Sequence, residues 1–503
     1  MNRILKIVVG VTMINIFARL FGFLREVVIG NQFGTNSMSD SIINAYTIPN
    51  FLYLVIGGAF TTAFISIYHK TSASITDYIR RTFTTILLAI TVITLVFFVF
   101  ADPILQWTFK PEDLAELEML KSLYYWMLPS TILLVLSTWM SGVLNINGKY
   151  NLSSFAVLVY NLSFLVISVL LAEIYGPVGY GIGALFGAVF MFLFLLFGVR
   201  KVKEMSFKPS FTRAADQKEL WKVAFPIMLG GATGQLYIII QRFFTNDLAD
   251  GVVSAMNYAT KMSQFPQALL ITAVTTVIFP LLSKKEGAGD TEGVKKLYVK
   301  GMRLLYIAIL PVSVYFYFQS EVIVRIVFER YKFGPDSTAI TAPLVQIFST
   351  TMFFLAANMY VTRFYYAKGN SMTPVLLSLF CVFGVNIAVI LVLIDALGAD
   401  AIALGTLISS VINLLLLVGV LQWKYKLTLL QNNAMQYVKL LAITILFIAA
   451  NAVVAQWIVI DQKWIHAFVT VAVVAIIYVV LLALFKVDEL TSITSKVMKK
   501  IKK

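Results

Sequence analysis

Fourteen apolar stretches, each about as long as a membrane span, follow one another along this chain with short polar joints between them. A hydrocarbon core of about 30 Å takes about 20 residues of helix. The stretches run roughly over 5–30, 39–68, 82–101, 123–145, 152–173, 178–199, 219–244, 252–283, 299–319, 339–364, 374–395, 400–422, 437–459 and 464–485. The second and eighth exceed a simple span and must tilt, kink or extend into water. Only 13% of the residues are charged, against about 25% in soluble domains. The chain is therefore expected to be an all-α polytopic membrane protein of about 14 helices. The run from Leu5 is too long for a signal-peptide core, and no small-residue cleavage site follows it. The first segment is expected to stay as a helix.

The net charge of +15 does not point to nucleic acid, because the basic residues fall in alternate short loops. With the N-terminus inside, the inner loops hold Lys70, Arg80 and Arg81; Lys149; Arg200, Lys201, Lys203, Lys208 and Arg213; Lys284, Lys285, Lys295 and Lys296; Lys368; and Lys424 and Lys426. The outer loops lean acidic, with Asp102, Glu112, Asp113, Glu116 and Glu118, then Asp247 and Asp250, then Asp395 and Asp400. This is the positive-inside pattern, with both termini cytoplasmic. The tail, KVMKKIKK, reads either as a contact with anionic membrane lipids or as a solvated basic end. Cys381 is the single cysteine and reads as a small core residue. His69 and His466 stand far apart at predicted helix ends, so no Cys/His metal cluster can be written. No Walker loop, HExxH or GxSxG occurs, which excludes a pump with its own ATPase and leaves no catalytic or metal-ligating set.

The polar, basic, proline-containing stretch 201–218 divides an N-terminal lobe at 1–200 from a C-terminal lobe at 219–425, with the last two spans and the tail at 426–503. The halves echo each other. The second segment ends FTTAFISIYHK (60–70) and the eighth ends VTTVIFPLLSK (274–284), with Pro49 and Pro266 upstream in similar frames. Arg25 and Arg242 both come late in the first segment of their half. Six spans repeated in the same orientation imply an axis along the membrane normal and a substrate site between the lobes. The last two spans carry no intramembrane charge and read as an accessory pair.

Ionisable residues in or near the membrane gather in the first, second, seventh and eighth segments: Arg19, Arg25, Glu26, Asp40, Arg242 and Lys261. A charge at the bilayer centre costs from about 2.5 kcal/mol to over 10, so such residues line cavities or pair. Arg19 is the deepest and is expected to line a wet cavity. Lys261 lies too far from a helix end to snorkel and is read the same way. Arg25 and Arg19 are about 120° apart around the helix, with Gly22 between them open to bending or close helix approach. Arg25 and Glu26 are neighbours and point apart, so Glu26 is expected to pair with another helix. Arg25, Glu26 and Asp40 also fit interfacial charges at helix ends. Glu321 and Arg325 are one turn apart and are expected to pair with each other. Four cations against few carboxylates suit phosphate or pyrophosphate, which arginine reads bidentately.

These residues carry a resemblance. The opening resembles the MurJ (MviN) lipid II flippases of the multidrug/oligosaccharidyl-lipid/polysaccharide exporter superfamily. The matching pieces are R-x-x-GFxR-[DE] at Arg19 to Glu26, FG-x(5)-D ending at Asp40, PN at Pro49 and Asn50, and GAF-x-x-AF from Gly58 to Phe64. NYATKMSQFP (257–266) is similar to the family's YADR-x-x-x-FP, and FERYKFGPDST and FYYAKGNSMTPV to later connections. The resemblance covers, in patches, most of the first 380 residues.

It implies two six-helix lobes around a central cationic cavity, plus a terminal helix pair able to form a lipid-accommodating groove. It implies a flippase, not an enzyme, in the bacterial cytoplasmic membrane. Its substrate would be a polyprenyl-pyrophosphate-linked saccharide, lipid II, moved by alternating access without ATP. Arg19, Arg25, Arg242 and Lys261 would bind substrate, Glu26 and Asp40 would be charge partners, and Gly22, Pro49, Asn50 and Pro266 would supply kinks or gates. Lys261 stands where the family usually has arginine. Segment 7 has no carboxylate before Asp247 and segment 11 offers only Asn386, so a sodium site is not supported. No cofactor is implied; the membrane potential or a monovalent ion remains as the driving force. Cell-wall synthesis machinery is the protein partner to look for. Three other readings stay open: a flippase for an exopolysaccharide or teichoic-type unit, a cation-coupled drug antiporter, and a scaffold in a wall-synthesis complex.

Overall fold

The computed structural model describes residues 3–68, 70–71, 74–111, 113–212, 214–429 and 434–489. His69, Glu112, Arg213 and the basic tail at 496–503 lie outside them. The chain divides into two compact units, 1–257 and 258–503. The linker at 201–218 divides the chain by connectivity, whereas the packing boundary falls later, inside α11 (below), because the helix after the linker packs on the N-terminal helices.

The first unit opens with α1 (Arg3–Phe33), then α2 (Ser37–Leu52), which runs through a π segment (Tyr53–Gly57) into α3 (Gly58–Tyr68). Asn36 starts α2 with a capping box: its side chain accepts from Met38 N and Ser39 N, and Ser39 Oγ accepts from Asn36 N. Pro49 is buried inside α2 and supplies no N–H, and the helix widens into its π turn soon after. Asn50 is half-buried beside it. Next come α4 (Ile75–Val99), the short α5 (Ala101–Phe109), and α6 (Leu114–Met127) with α7 (Ser130–Ile146), which form one span bent at Pro129. The hairpin of α8 (Tyr150–Tyr175) and α9 (Val178–Val199) is packed through Gly179, Gly183 and Gly187. A Cβ on Gly183 would fall onto Ser168 Oγ, and one on Gly187 would lie 3.1 Å from Phe164, so small residues every fourth position let the backbones close. Then follow α10 (Ala215–Thr245), which packs on α2, α3, α4 and α5, and α11 (Val252–Gly287).

The second unit contains α12 (Thr291–Phe318), the short α13 (Ser320–Val327), α14 (Pro335–Ala367), α15 (Met372–Leu379), which passes through a π segment (Phe380–Asn386) into α16 (Ile387–Leu397), α17 (Ala399–Tyr425), α18 (Ala434–Trp457) and α19 (Lys463–Leu484). Its main core joins α12, α14 and α17 through Tyr298, Leu305, Met352, Tyr360 and Leu417. The terminal pair packs on α12 through Ile443, Phe447, Val474 and Tyr478, and Tyr306 meets Thr444 at 2.5 Å. His466 is buried near the start of α19 and lies 3.0 Å from Gln319 Oε1.

Among the described residues thirteen helices are long and apolar enough to cross a membrane. α1 has 31 residues but carries Arg19, Arg25 and Glu26 in its later part. Two short helices fall outside the expected spans. α5 buries Ala101, Leu105 and Phe109, and α13 with its cap buries Ser320, Val324 and Phe328. Each follows the third long helix of its half and hides the same i, i+4, i+8 face, which extends the internal echo. α13 also corrects one expected pair. Arg325 is 3.5 Å from Glu329, not paired with Glu321, because the helix ends at Val327 and the turning chain brings Glu329 beneath it.

Candidate functional site

The charged residues of the first unit assemble where α1 and α2 meet the end of α10 and the start of α11. Arg25 Nη2 donates to Glu26 Oε1 at 2.7 Å, and Nε at 3.3 Å. The two neighbours thus do pair, against the expectation from helix geometry, because long side chains curl back across one residue. Glu26 also reaches another helix, as expected: its Oε2 accepts from Asn257 Nδ2 at 2.7 Å. Asn257 Oδ1 in turn accepts from Arg242 Nη2 at 2.8 Å, and Arg242 Nη1 donates to Val253 O at 2.8 Å. The Arg25 guanidinium lies 4.8 Å from the Tyr46 ring centre and 4.6 Å from that of Phe164. Arg25, Glu26 and Arg242 are all at least nine-tenths buried. This is a chain of charge-assisted hydrogen bonds with aromatic walls, and it answers the cost of burying charge in lipid.

Asp40 performs a different task. Its carboxylate accepts from Gly251 N at 2.8 Å and Ser254 N at 2.7 Å, so a residue of α2 caps α11. Four N–H groups at a helix start lack intrahelical partners, and an anion there is favoured by the helix dipole. Asn44 Nδ2 donates to Asn246 Oδ1 at 2.8 Å, and Lys110 Nζ meets Asp247 at 2.6 Å. Gly251 has φ +85, and a Cβ there would lie 2.5 Å from Thr35 O. The α10–α11 turn is therefore fastened to α1, α2 and α5 by caps, amides and an ion pair.

The other sequence candidates lie apart from this network. Arg19 is exposed on α1 and has no hydrogen-bond or ion-pair partner among the described residues. Gly22 faces α8, where Asn161 sits 3.5 Å from the position of a Cβ and donates to Ala18 O, so its use is close approach. Lys261 and Pro266 are half-buried on α11, in the second unit. Asn257, Asn44, Asn246 and Lys110 were not singled out from sequence. At the other end of α10, Arg81 Nη2 and Nε meet Asp216 at 2.5 and 3.3 Å, both residues being buried. By sequence Arg81 is one more basic residue of an inner loop. The signal was Asp216, an acid in a basic linker.

Long apolar helices with buried, partnered charges mark a polytopic membrane protein. Two solved structures share the fold. "Lipid II flippase MurJ, inward closed conformation" superposes with a TM-score of 0.83 at 20% identity, covering 95% of this chain and 99% of that one. An inward-facing multidrug resistance MATE family transporter of the MOP superfamily gives 0.69 at 14%, covering 81% and 96%. The chain belongs to the lipid II flippase MurJ family, whose sequence profile matches residues 29–486. The probable lipid II flippase MurJ of Rickettsia prowazekii is 26% identical over 420 residues, 82% of each chain. The lipid II flippase MurJ of Burkholderia cenocepacia is 25% identical over 438 residues, again 82% of each. The protein is a transporter rather than an enzyme, and a multi-pass inner-membrane protein.

Proposed function

We propose that this chain carries lipid II, the undecaprenyl-pyrophosphate-linked peptidoglycan precursor, from the inner to the outer leaflet by alternating access. Membership of the flippase family supports the substrate class. Both termini face the cytoplasm in this reading, so the start of α10 is the inner end and the α10–α11 turn the outer end. The observation that carries the site is Arg19. Arg25 and Arg242 are spent on Glu26, Asn257 and Val253 O, whereas Arg19 keeps its whole guanidinium fork for a ligand. A guanidinium matches two pyrophosphate oxygens at once and sheds water readily. In the second unit, Lys261 offers substrate a point charge without the fork.

No bound cofactor enters this cycle. The inside-negative potential resets the empty cationic site, since one charge crossing the field is worth about 2.3 kcal/mol per 100 mV. The five lysines at 496–503 suit anionic lipid as a partner, a solvated basic end being the alternative.

The test is replacement of an essential lipid II flippase in cells. This chain should restore growth, and a well-inserted Arg19→Ala variant should not. Failure of the wild type despite insertion would reject lipid II as the substrate. Full rescue by Arg19→Ala would reject the site.

A further inference from the structure

The basic linker does not hang free. Phe207 packs edge-on against Phe83 of α4 with ring centres 5.3 Å apart. Lys208 O accepts from Arg80 Nε at 3.2 Å, Ser210 N donates to Thr84 Oγ1 at 2.9 Å, and Gln217 Nε2 donates to Thr85 Oγ1 at 3.3 Å. The strap ends at the buried Arg81–Asp216 pair, where Thr71 Oγ1 adds a contact to Asp216 at 3.4 Å. One turn further along α10, Trp221 meets Phe60 of α3 edge-on at 5.0 Å. α10 is thereby fastened to the N-terminal helices at its inner end as well as at its outer end.

We propose that Arg81 and Asp216 form a cytoplasmic latch that opens each time substrate loads and re-forms before release outside. The inference rests on the alternating-access reading above. If both ends of α10 stayed fastened to α2, α4 and α5, neither side of this helix could part to admit a charged headgroup. The outer ties are backbone caps, amides and the exposed Lys110–Asp247 pair; the inner tie is a buried ion pair beside an aqueous interface. That chemistry suits a contact made and broken repeatedly. The desolvation of two charges largely offsets their attraction, so a closed, dry pair and an open, hydrated pair lie near each other in free energy, while geometry still fixes one closed register.

The experiment joins the two positions reversibly. In a Cys381→Ser background, Arg81→Cys and Asp216→Cys are bridged by a short bis-thiosulfonate reagent, which reaches across the space the two long side chains fill. Lipid II translocation is then measured in proteoliposomes before and after reduction. The bridged protein should translocate at less than about one tenth of the rate of the same preparation reduced. Equal rates in the two states would overturn the latch. A second arm needs no transport. Arg81→Gln should raise the labelling rate of a Thr85→Cys reporter from the cytoplasmic side at least fivefold, because the strap over Thr85 is released; an unchanged rate overturns the proposal. If the wild type moves no lipid II, the substrate reading fails while the labelling arm still judges the latch.

Discussion

Replacing Glu26 by glutamine isolates what the buried network contributes. Glutamine keeps the shape and one carbonyl for Asn257 but removes the charge that Arg25 faces at 2.7 Å. Arg25 is 8% exposed and cannot recover water where it stands. Removing one partner of such a pair costs about 3–5 kcal/mol. Tyr46 and Phe164 still hold the guanidinium, and a ring contact of this kind is worth about 0.5–2 kcal/mol. The expected loss is therefore near the lower bound, about 3 kcal/mol, or two decades in the unfolding equilibrium at about 1.4 kcal/mol per decade. Arg25→Gln should cost a similar amount by stranding the carboxylate. The double variant strands neither charge, so it should be less destabilised than the sum by at least about 2 kcal/mol. Reversible unfolding in mixed micelles titrated with sodium dodecyl sulfate, followed by tryptophan fluorescence, measures all three. Simple additivity of the two single losses would refute the claim that Arg25 and Glu26 neutralise each other.

Gly251→Ala should lower the thermal midpoint, with a loss of about 1–3 kcal/mol for a side chain forced to positive φ, since its Cβ would also press on Thr35 O; an unchanged midpoint refutes the close approach. Lys261→Arg should keep or raise transport per inserted molecule, and Lys261→Gln should lower it about tenfold or more, the scale of one charged hydrogen bond; wild-type transport by Lys261→Gln would remove the lysine from the site. In a Cys381→Ser background, Met38→Cys should label only from outside and Phe211→Cys only from inside, and labelling of both from one side would break the proposed orientation.

The spans were legible because their signal is length. The sixth was expected at 178–199 and the helix is Val178–Val199; the seventh, expected at 219–244, is Ala215–Thr245. α5 and α13 were not legible, because nine and eight residues with one hidden face are shorter than any span and sit at its hydrophobic end. The partners of the charges were legible only in part. Helix geometry set Glu26 toward another helix, and Asn257 is there, 231 residues away. The same geometry placed Arg25 and Glu26 apart and Glu321 with Arg325; the second expectation failed because α13 ends at Val327 and the chain beyond brings Glu329 to Arg325, the first for a different reason. Spacing along a helix fixes where Cβ atoms point, whereas arginine and glutamate reach several bonds beyond Cβ and take whichever partner completes their burial. Arg81 was hidden by the same rule that oriented the chain, since a basic residue at an inner helix end needs no further explanation.

Burial also changes what a count of arginines means. Arg19, Arg25 and Arg242, read from the sequence as intramembrane cations, suggest three hands for a pyrophosphate. In lipid, however, a buried guanidinium must find partners simply to be there. Arg25 takes Glu26 and two rings, and Arg242 takes Asn257 and a carbonyl at the start of α11. Their donors are directed at protein, and a substrate would have to displace contacts of equal quality to gain them. Arg19 is exposed and has no hydrogen-bond or ion-pair partner among the described residues, so a ligand there displaces no such protein contact. In the proposed cycle the buried pair would act on transport through position, by holding α1 against the start of α11, and Arg19 would act through charge. The two roles separate experimentally. Lysine at 25 should keep transport if Glu26 and the rings still hold it, whereas lysine at 19 should lose transport, because the fork itself is what Arg19 offers.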